Sequence, residues 1–332
     1  MPTLALLGAA HIHTPGFIER INKRDDFTVK AVYDHNSDRA AANADKLSAN
    51  NEGNLDAVLA DGEVDAVIIC SETNRHEDLV MKAAAAGKHM FVEKPLGFAA
   101  ADAFRMADAI TKARVTFQTG YFRRGDAKHI WAKQHIDHGS FGKITRARHN
   151  NCHSGSIGRW FDTDWRWMAD PAVAGCGAFG DLGTHSLDIL MWWFGDVVEA
   201  TGDLNVVLGN YQDCDESGEG MIKFDRGVLA TLSGAWVDVA NPVNFQISGT
   251  EGCAIDVMGK LYAKGKAFDA EQFTEVTDLP AGRPHAFDLF LDAVAGKDVP
   301  LVNPQEAAAR SAVMQAIHDG ARQRTWIKPP TF

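Results

Sequence analysis

Asp181 and His185, in "GCGAFGDLGTHSLDILMWWFGD" (175–196), have the types and spacing for proton transfer. Four apart on a helix, they share one face and can reach one substrate atom. A carboxylate beside an imidazole holds its tautomer and raises its basicity. An imidazole is well matched to taking an alcohol proton near neutral pH. The same pair also fits a plain helix start, with Asp181 as N-cap. Lys94 in "FVEKPLG" (91–97) closes an apolar run. The carboxyl end of such a strand faces the ligand crevice of a parallel sheet, and Pro95 allows a cis bond that would aim the lysine. A solvated lysine before a strand-ending proline fits the same letters.

A second chemistry lies in "LLGAAHIHTPGF" (6–17). One reading is a dinucleotide turn, G-x-G-x-x-G, whose amides and helix end face a pyrophosphate. Gly8 supplies the tight turn, Ala10 replaces the second glycine and His13 the third. His11 would offer its amide to the pyrophosphate, with Ile12 beside it. The other reading is H-x-H, a ligand pair of a metal-dependent hydrolase barrel. Asp34 favours the first. It ends the next apolar run, about where a ribose-binding acid belongs, and its carboxylate would repel a 2′-phosphate. His35 and Asn36 bring no Arg or Lys, so NAD is expected over NADP.

The elements that would carry these residues alternate. Through residue 122, apolar runs ("LALLG", "FTVKAVYD", "VDAVIIC", "KHMFVEKP", "VTFQTG") alternate with helical patterns at 14–24, 37–49, 75–87 and 99–113. That grammar predicts βαβ units and a doubly wound parallel sheet. From 123 it changes: a helix over 125–139, a strand over 142–152, a Gly- and Trp-rich segment, the helix bearing Asp181, then a strand-rich stretch over 197–277. Turns at 225–227 and 249–252 punctuate that stretch as hairpins, and two helical patterns close the chain. We expect a Rossmann domain over 1–122 and an α+β substrate and oligomerisation domain over 123–332, with C-terminal helices able to pack back on the first. The strand-rich half contradicts an eight-fold βα barrel, so no metal is expected.

The formal net charge is −11, which disfavours nucleic acid and anionic membrane surfaces as partners. No window is apolar enough for a membrane span and no basic leader opens the chain. The five cysteines are odd in number, scattered and never C-x-x-C, which reads as free thiols in the cytoplasm.

In combination these pieces resemble the glucose–fructose oxidoreductase/inositol dehydrogenase (Gfo/Idh/MocA) family. The match runs through the Gly8 loop, "AVYD" (31–34), "CSETNRH" (70–76), "AAAAGKHMFVEKPLG", "GYFRR" (120–124), "WRW" (165–167) and "GDLGTHSLDILMWWFGD". The resemblance implies a Rossmann domain followed by a domain with a large open mixed, mainly antiparallel sheet. It implies a homodimer or homotetramer through that sheet. It carries the family's constellation onto Lys94, Asp181 and His185, with His185 transferring the proton, Asp181 orienting it and Lys94 bonding the same oxygen near the nicotinamide. Ser71, Thr73, His76 and Glu93 match positions lining the cofactor, and Trp165 and Arg166 a segment reaching it from the second domain. Gly-to-Ala and Gly-to-His changes in the loop, and Glu72 where many members have Pro, depart from the pattern.

The expected reaction moves a hydride between NAD and a secondary alcohol of a sugar, sugar derivative or cyclitol. Tyr121, Arg123, His153 and Trp165 join the constellation as candidate substrate contacts, amid a dense set that includes His149, Trp160 and Trp167. Arg123, Arg124 and Arg166 are available to an anionic substituent; a neutral substrate is slightly favoured. Two alternatives stand: an NAD-dependent glycosidase working through transient sugar oxidation, and a non-catalytic dinucleotide-binding regulator.

Overall fold

The computed structural model describes residues 1–331. The first sheet is built from β1 (Thr3–Ala9), β2 (Thr28–Tyr33), β3 (Asn50–Asn51), β4 (Ala66–Cys70), β5 (His89–Val92) and β6 (Phe117–Thr119). All neighbours pair in parallel, in the order β3-β2-β1-β4-β5-β6. The central strands are apolar on both faces because helices cover both; every residue of β4 is buried. Those helices are α1 (Thr14–Asn22), α2 (Ser37–Leu47), α3 (Leu55–Ala60), α4 (His76–Ala85) and α5 (Ala100–Ala113). Asn36 caps α2 by accepting the Arg39 amide, as its short polar side chain suits it to do. The strand order reverses between β1 and β4, and there the carboxyl ends of the strands open a crevice. Short α3 and two-residue β3 lack a readable period in the sequence.

The second sheet has eight strands: β7 (Ile144–Cys152), β8 (Val197–Asn205), β9 (Ser217–Phe224), β10 (Leu229–Ala235), β11 (Val243–Gly249), β12 (Gly252–Val257), β13 (Lys260–Gly265) and β14 (Ala270–Glu275). Their order is β14-β13-β12-β11-β7-β10-β9-β8. Only β7 and β10 run parallel, which makes the sheet mixed. Burial alternates along β9 and β12, so one face is covered and the other open. The covering helices are α6 (Ala127–Asp137), α8 (Ala178–Phe194) and the C-terminal α10 (Pro304–Gln323); the four-residue α7 (Pro171–Ala174) packs instead on residues 166–169 and 73–75, and α9 (Ala286–Val294) precedes the last helix.

Helix α8 is apolar almost all round, as a helix between two layers must be. It lies directly on β10 because Gly234 has no side chain; a Cβ there would meet the Gly183 nitrogen at 2.8 Å and the Phe179 oxygen at 3.0 Å. The C-terminal helices return to the first domain. Phe287 of α9 stacks on Phe17 of α1 at 4.4 Å, and Ala307 and Ala308 of α10 enter the core formed with α4 and α5.

Candidate active site

Lys94 follows β5, and its bond to Pro95 is cis. The lysine is buried, and its Nζ lies 2.6 Å from Asp181 Oδ1 and 3.3 Å from the Asp181 carbonyl. One domain thus supplies the cation and the first turn of α8, in the other, the anion. Burial opposes the ammonium charge, but Asp181 and then Glu93 outweigh it and hold the Lys94 pKa above its ordinary value. Burial likewise opposes ionisation of Asp181, and Lys94 outweighs it, so the carboxyl sits below its usual range. Trp236, fully buried, donates its indole N–H to Asp181 Oδ2 at 3.1 Å.

His185 lies one turn further along α8 and is also buried. Its Nδ1 has no hydrogen-bond partner. This corrects the expectation that Asp181 orients His185. Both Asp181 oxygens are engaged by Lys94 and Trp236, because a charged lysine outcompetes a neutral imidazole for a carboxylate. His185 is instead framed by rings, with Phe122 at 5.1 Å and Tyr121 edge-on at 6.3 Å. Burial, then the charges of Lys94 and Arg123, push its pKa well below the ordinary imidazole value.

A cleft of about 640 Å³, the candidate cofactor site, runs along the carboxyl ends of β1 and β2. Ala9, Ala10, His11, Asn36 and Arg39 line it from the first domain, and Thr163, Asp164 and Trp165 from the second. Gly8 has φ +79°, and a Cβ there would lie 2.6 Å from the Ser71 Cβ, so the turn needs glycine. The His11 amide is not free for a pyrophosphate, since it donates to the Cys70 carbonyl at 3.0 Å. The amides of Ala10 and Ile12 have no protein acceptor among the described residues. Ile12 packs against the aromatic cluster of the second domain. His13 turns its ring away from the helix–sheet contact, and its Nδ1 lies 2.9 Å from Glu93 Oε1.

Asp34 lies at the cleft, but an arginine is there with it. Arg39, in the first turn of α2, bonds both Asp34 oxygens at 2.7 Å and Glu72 Oε1 at 2.9 Å. The Ala9 and Asn36 amides also donate to Asp34. The expectation of no basic residue near the ribose position is therefore wrong. Asp34 precedes α2 and Arg39 is the third residue of that helix, so the arginine's long side chain spans the turn between them, a contact that the residues next to Asp34 do not announce.

Other expected contacts sort differently. Ser71 and Thr73 are buried and are not among the residues that line the cleft. His76 is fully buried, with its Nδ1 on the Pro95 and Leu96 carbonyls at 3.2 Å, where it braces the Lys94 loop. Tyr121 is buried with its hydroxyl 3.2 Å from Thr184 Oγ1, where it braces α8, and burial pushes its pKa up to about 12. Arg166 pairs with Asp162 and lies 4.6 Å over the Tyr211 ring, outside the cleft residues. Arg124 is spent on Asp188 and Glu306. Arg123 bonds Asn151 Oδ1 at 2.5 Å and has no carboxylate partner among the described residues. The His153 Nδ1 accepts the Gly155 amide, and its ring leans on Trp160 at 4.7 Å. His149 is a core residue on Ser186 and His129.

Three contacts had no local signal: Arg39, Trp236 and Trp167. Trp167 donates its indole N–H to the Ala10 carbonyl at 3.0 Å, pinning the cofactor loop from the second domain. The density of tryptophans around 160–167 was the only hint.

Two family models match the chain: the oxidoreductase family with an NAD-binding Rossmann fold over residues 3–121, and the GFO/IDH/MocA C-terminal domain over residues 129–255. The chain belongs to the Gfo/Idh/MocA oxidoreductase family. Among curated relatives, myo-inositol 2-dehydrogenase of Thermotoga maritima is 30% identical over 228 residues, covering 64% of this chain and 63% of the relative. The scyllo-inositol 2-dehydrogenase (NAD(+)) of Bacillus subtilis is 28% identical, covering 64% and 62%. The chain thus aligns with a little over three fifths of these relatives' length. A solved levoglucosan dehydrogenase in complex with NADH and levoglucosan superposes over 99% of this chain and 100% of that one, with TM-score 0.81 at 21% identity. An NAD binding oxidoreductase from Klebsiella pneumoniae covers 100% of both chains, with TM-score 0.79 at 22% identity. At such identities the likeness establishes the fold. As a Gfo/Idh/MocA member the protein carries an NAD-binding Rossmann domain, and the open Ala10 and Ile12 amides beside the cleft suit a pyrophosphate.

Proposed function

We propose that the protein is an NAD-dependent oxidoreductase acting on a secondary alcohol of a sugar, sugar derivative or cyclitol. The observation that carries this is the pair formed by Lys94, after the carboxyl end of β5, and Asp181 of α8, with an unpartnered His185 one turn further along that helix. NAD, when bound, supplies the hydride acceptor. With Nδ1 buried, His185 presents Nε2 to take the hydroxyl proton. The Lys94 ammonium holds the same oxygen and stabilises the charge that develops on it. Asp181 keeps Lys94 charged and aimed, and Trp236 keeps Asp181 in place. Asp181 is thus a positioning residue for Lys94. Arg123, His153 and Trp165 supply donors and an aromatic face to the remaining hydroxyls.

NAD⁺ is the preferred cofactor because the Asp34 carboxylate stands where a 2′-phosphate would sit, and Arg39 tempers that preference. We place a second copy of the chain on the open face of the eight-stranded sheet, where Met221 and Leu229 are exposed; light scattering should give a dimer or tetramer, and a monomer at micromolar concentration would refute it. The five unpaired cysteines support a reducing, cytoplasmic setting.

The test is an NAD⁺-reduction screen over sugars, anhydrosugars, glycosides, sugar acids and inositols. A dehydrogenase forms NADH in step with product; a glycosidase needs only catalytic NAD⁺. On the best substrate, His185→Ala and Lys94→Ala should each lower kcat/KM by roughly 10²–10⁴-fold. Wild-type rates in both would remove the assignment, and a higher kcat/KM with NADP⁺ would remove the cofactor preference.

A further inference from the structure

We propose that His11, His13 and Glu93 form a site for a single divalent transition-metal ion, Zn²⁺ by its ligand chemistry. The three side chains offer one ligand atom each, all within 4.8 Å of one another. The Glu93 Oε1 lies 2.9 Å from His13 Nδ1 and 3.9 Å from His11 Nδ1. Its other oxygen, Oε2, is already committed to the Lys94 amide at 2.9 Å. Oε1 is therefore the oxygen turned toward both imidazoles, and it now accepts from His13 Nδ1.

The charge balance asks for a cation. Glu93 is fully buried, and an isolated buried carboxylate is costly. Its ion-pair partners among the described residues are only the two histidines. The nearby Lys94 ammonium makes no ion pair with Glu93 and is shared with Asp181, its contact at 2.6 Å. A neutral imidazole with a free lone pair is the metal-binding form. His11 Nδ1 carries such a lone pair, now shared with the His13 amide at 3.2 Å, and a metal ion would take the place of that amide.

Two imidazoles and one carboxylate are the ligand set of catalytic zinc sites that keep a position open, and hard-cation sites made only of oxygen differ from it. His13 is half-exposed at the N-terminus of α1, so its ring can adjust to a coordination bond. Binding would displace the proton that His13 Nδ1 now donates to Glu93. The open position would face the Lys94 end of the crevice and take a water or an oxygen of a bound molecule. The site stands independently of the hydride-transfer reading, and its test uses neither substrate nor NAD.

The experiment is a titration of Co²⁺, then Zn²⁺, into the full chain after dialysis against EDTA, followed by visible d–d absorption and isothermal calorimetry. We expect one Co²⁺ per chain with the bands of a four- or five-coordinate site, displaced stoichiometrically by Zn²⁺. His13→Ala should weaken binding on the order of a hundredfold or more, with circular dichroism unchanged. His138→Ala, at an exposed histidine outside the cluster, should bind as the wild type does. No saturable d–d band in the wild type, or a band that His13→Ala leaves intact, would overturn the site.

Discussion

At the scale of residues, the reacting end of the crevice separates two tasks that the spacing of Asp181 and His185 suggested were one. Lys94 takes Asp181 for itself, and His185 is left neutral by burial and by neighbouring cations. The consequence for pH is specific. A base whose pKa lies well below 6.5 is already unprotonated at neutral pH and stays so as the pH falls through 6.5. We expect kcat/KM for alcohol oxidation to show no acidic limb at or above pH 6.5; a limb there in the pH–rate profile would assign the base to another group. Lys94, Asp181 and His185 were legible because their types and positions relative to strand ends carry meaning on their own. Arg39, Trp167 and Trp236 were not, because each acts on a residue brought to it by folding, 5 to 157 positions away.

At the scale of elements, α8 is the part that everything else positions. It rests on β10 through Gly234 and is tied to its neighbours through Asp188, one turn beyond His185. Asp188 accepts from Arg124 at 2.6 Å and from Arg310 of α10 at 3.0 Å, and both Asp188 and Arg310 are buried. Asp188→Asn leaves two guanidinium groups short of charge in the interior, which should cost roughly 3–5 kcal/mol. Urea unfolding should show that loss as a lower midpoint with an unchanged slope; a change under about 1 kcal/mol would mean that Glu306 alone suffices. The helices and hairpins were readable from apolar period and turn residues. The parallel β7–β10 pair was not, since strands so far apart in sequence leave no local mark of their mutual direction. The return of α9 and α10 to the first domain also depends on surfaces that no single element displays.

At the scale of the whole molecule, the buried histidines make stability depend on acid. His11, His76, His129, His149 and His185 are all buried with pKa values lowered chiefly by desolvation, His129 to about 4. In the unfolded chain they would protonate near pH 6.5. Above that pH neither state binds the proton and stability is full. Below it the unfolded state binds protons the folded state refuses, so stability falls at up to about 1.4 kcal/mol per histidine per pH unit. The depressed carboxyls, Asp34 and Asp181 among them, add their loss only below about pH 4. Urea midpoints should therefore drop steeply between pH 7 and 5; equal midpoints at the two ends would show that these rings open to solvent without unfolding.

The Lys94–Asp181 contact also bears on how such proteins can be recombined. Each half of the chain contributes one member of a buried ion pair, and neither half can hold its member alone without a bare charge in the interior. A chimera that joins this first domain to another protein's second domain must bring an acid to the matching first turn of its helix, along with the indole that steadies it. A graft lacking that acid would inherit the cofactor cleft and lose the lysine's aim, so exchange of halves is restricted to donors that keep the pair.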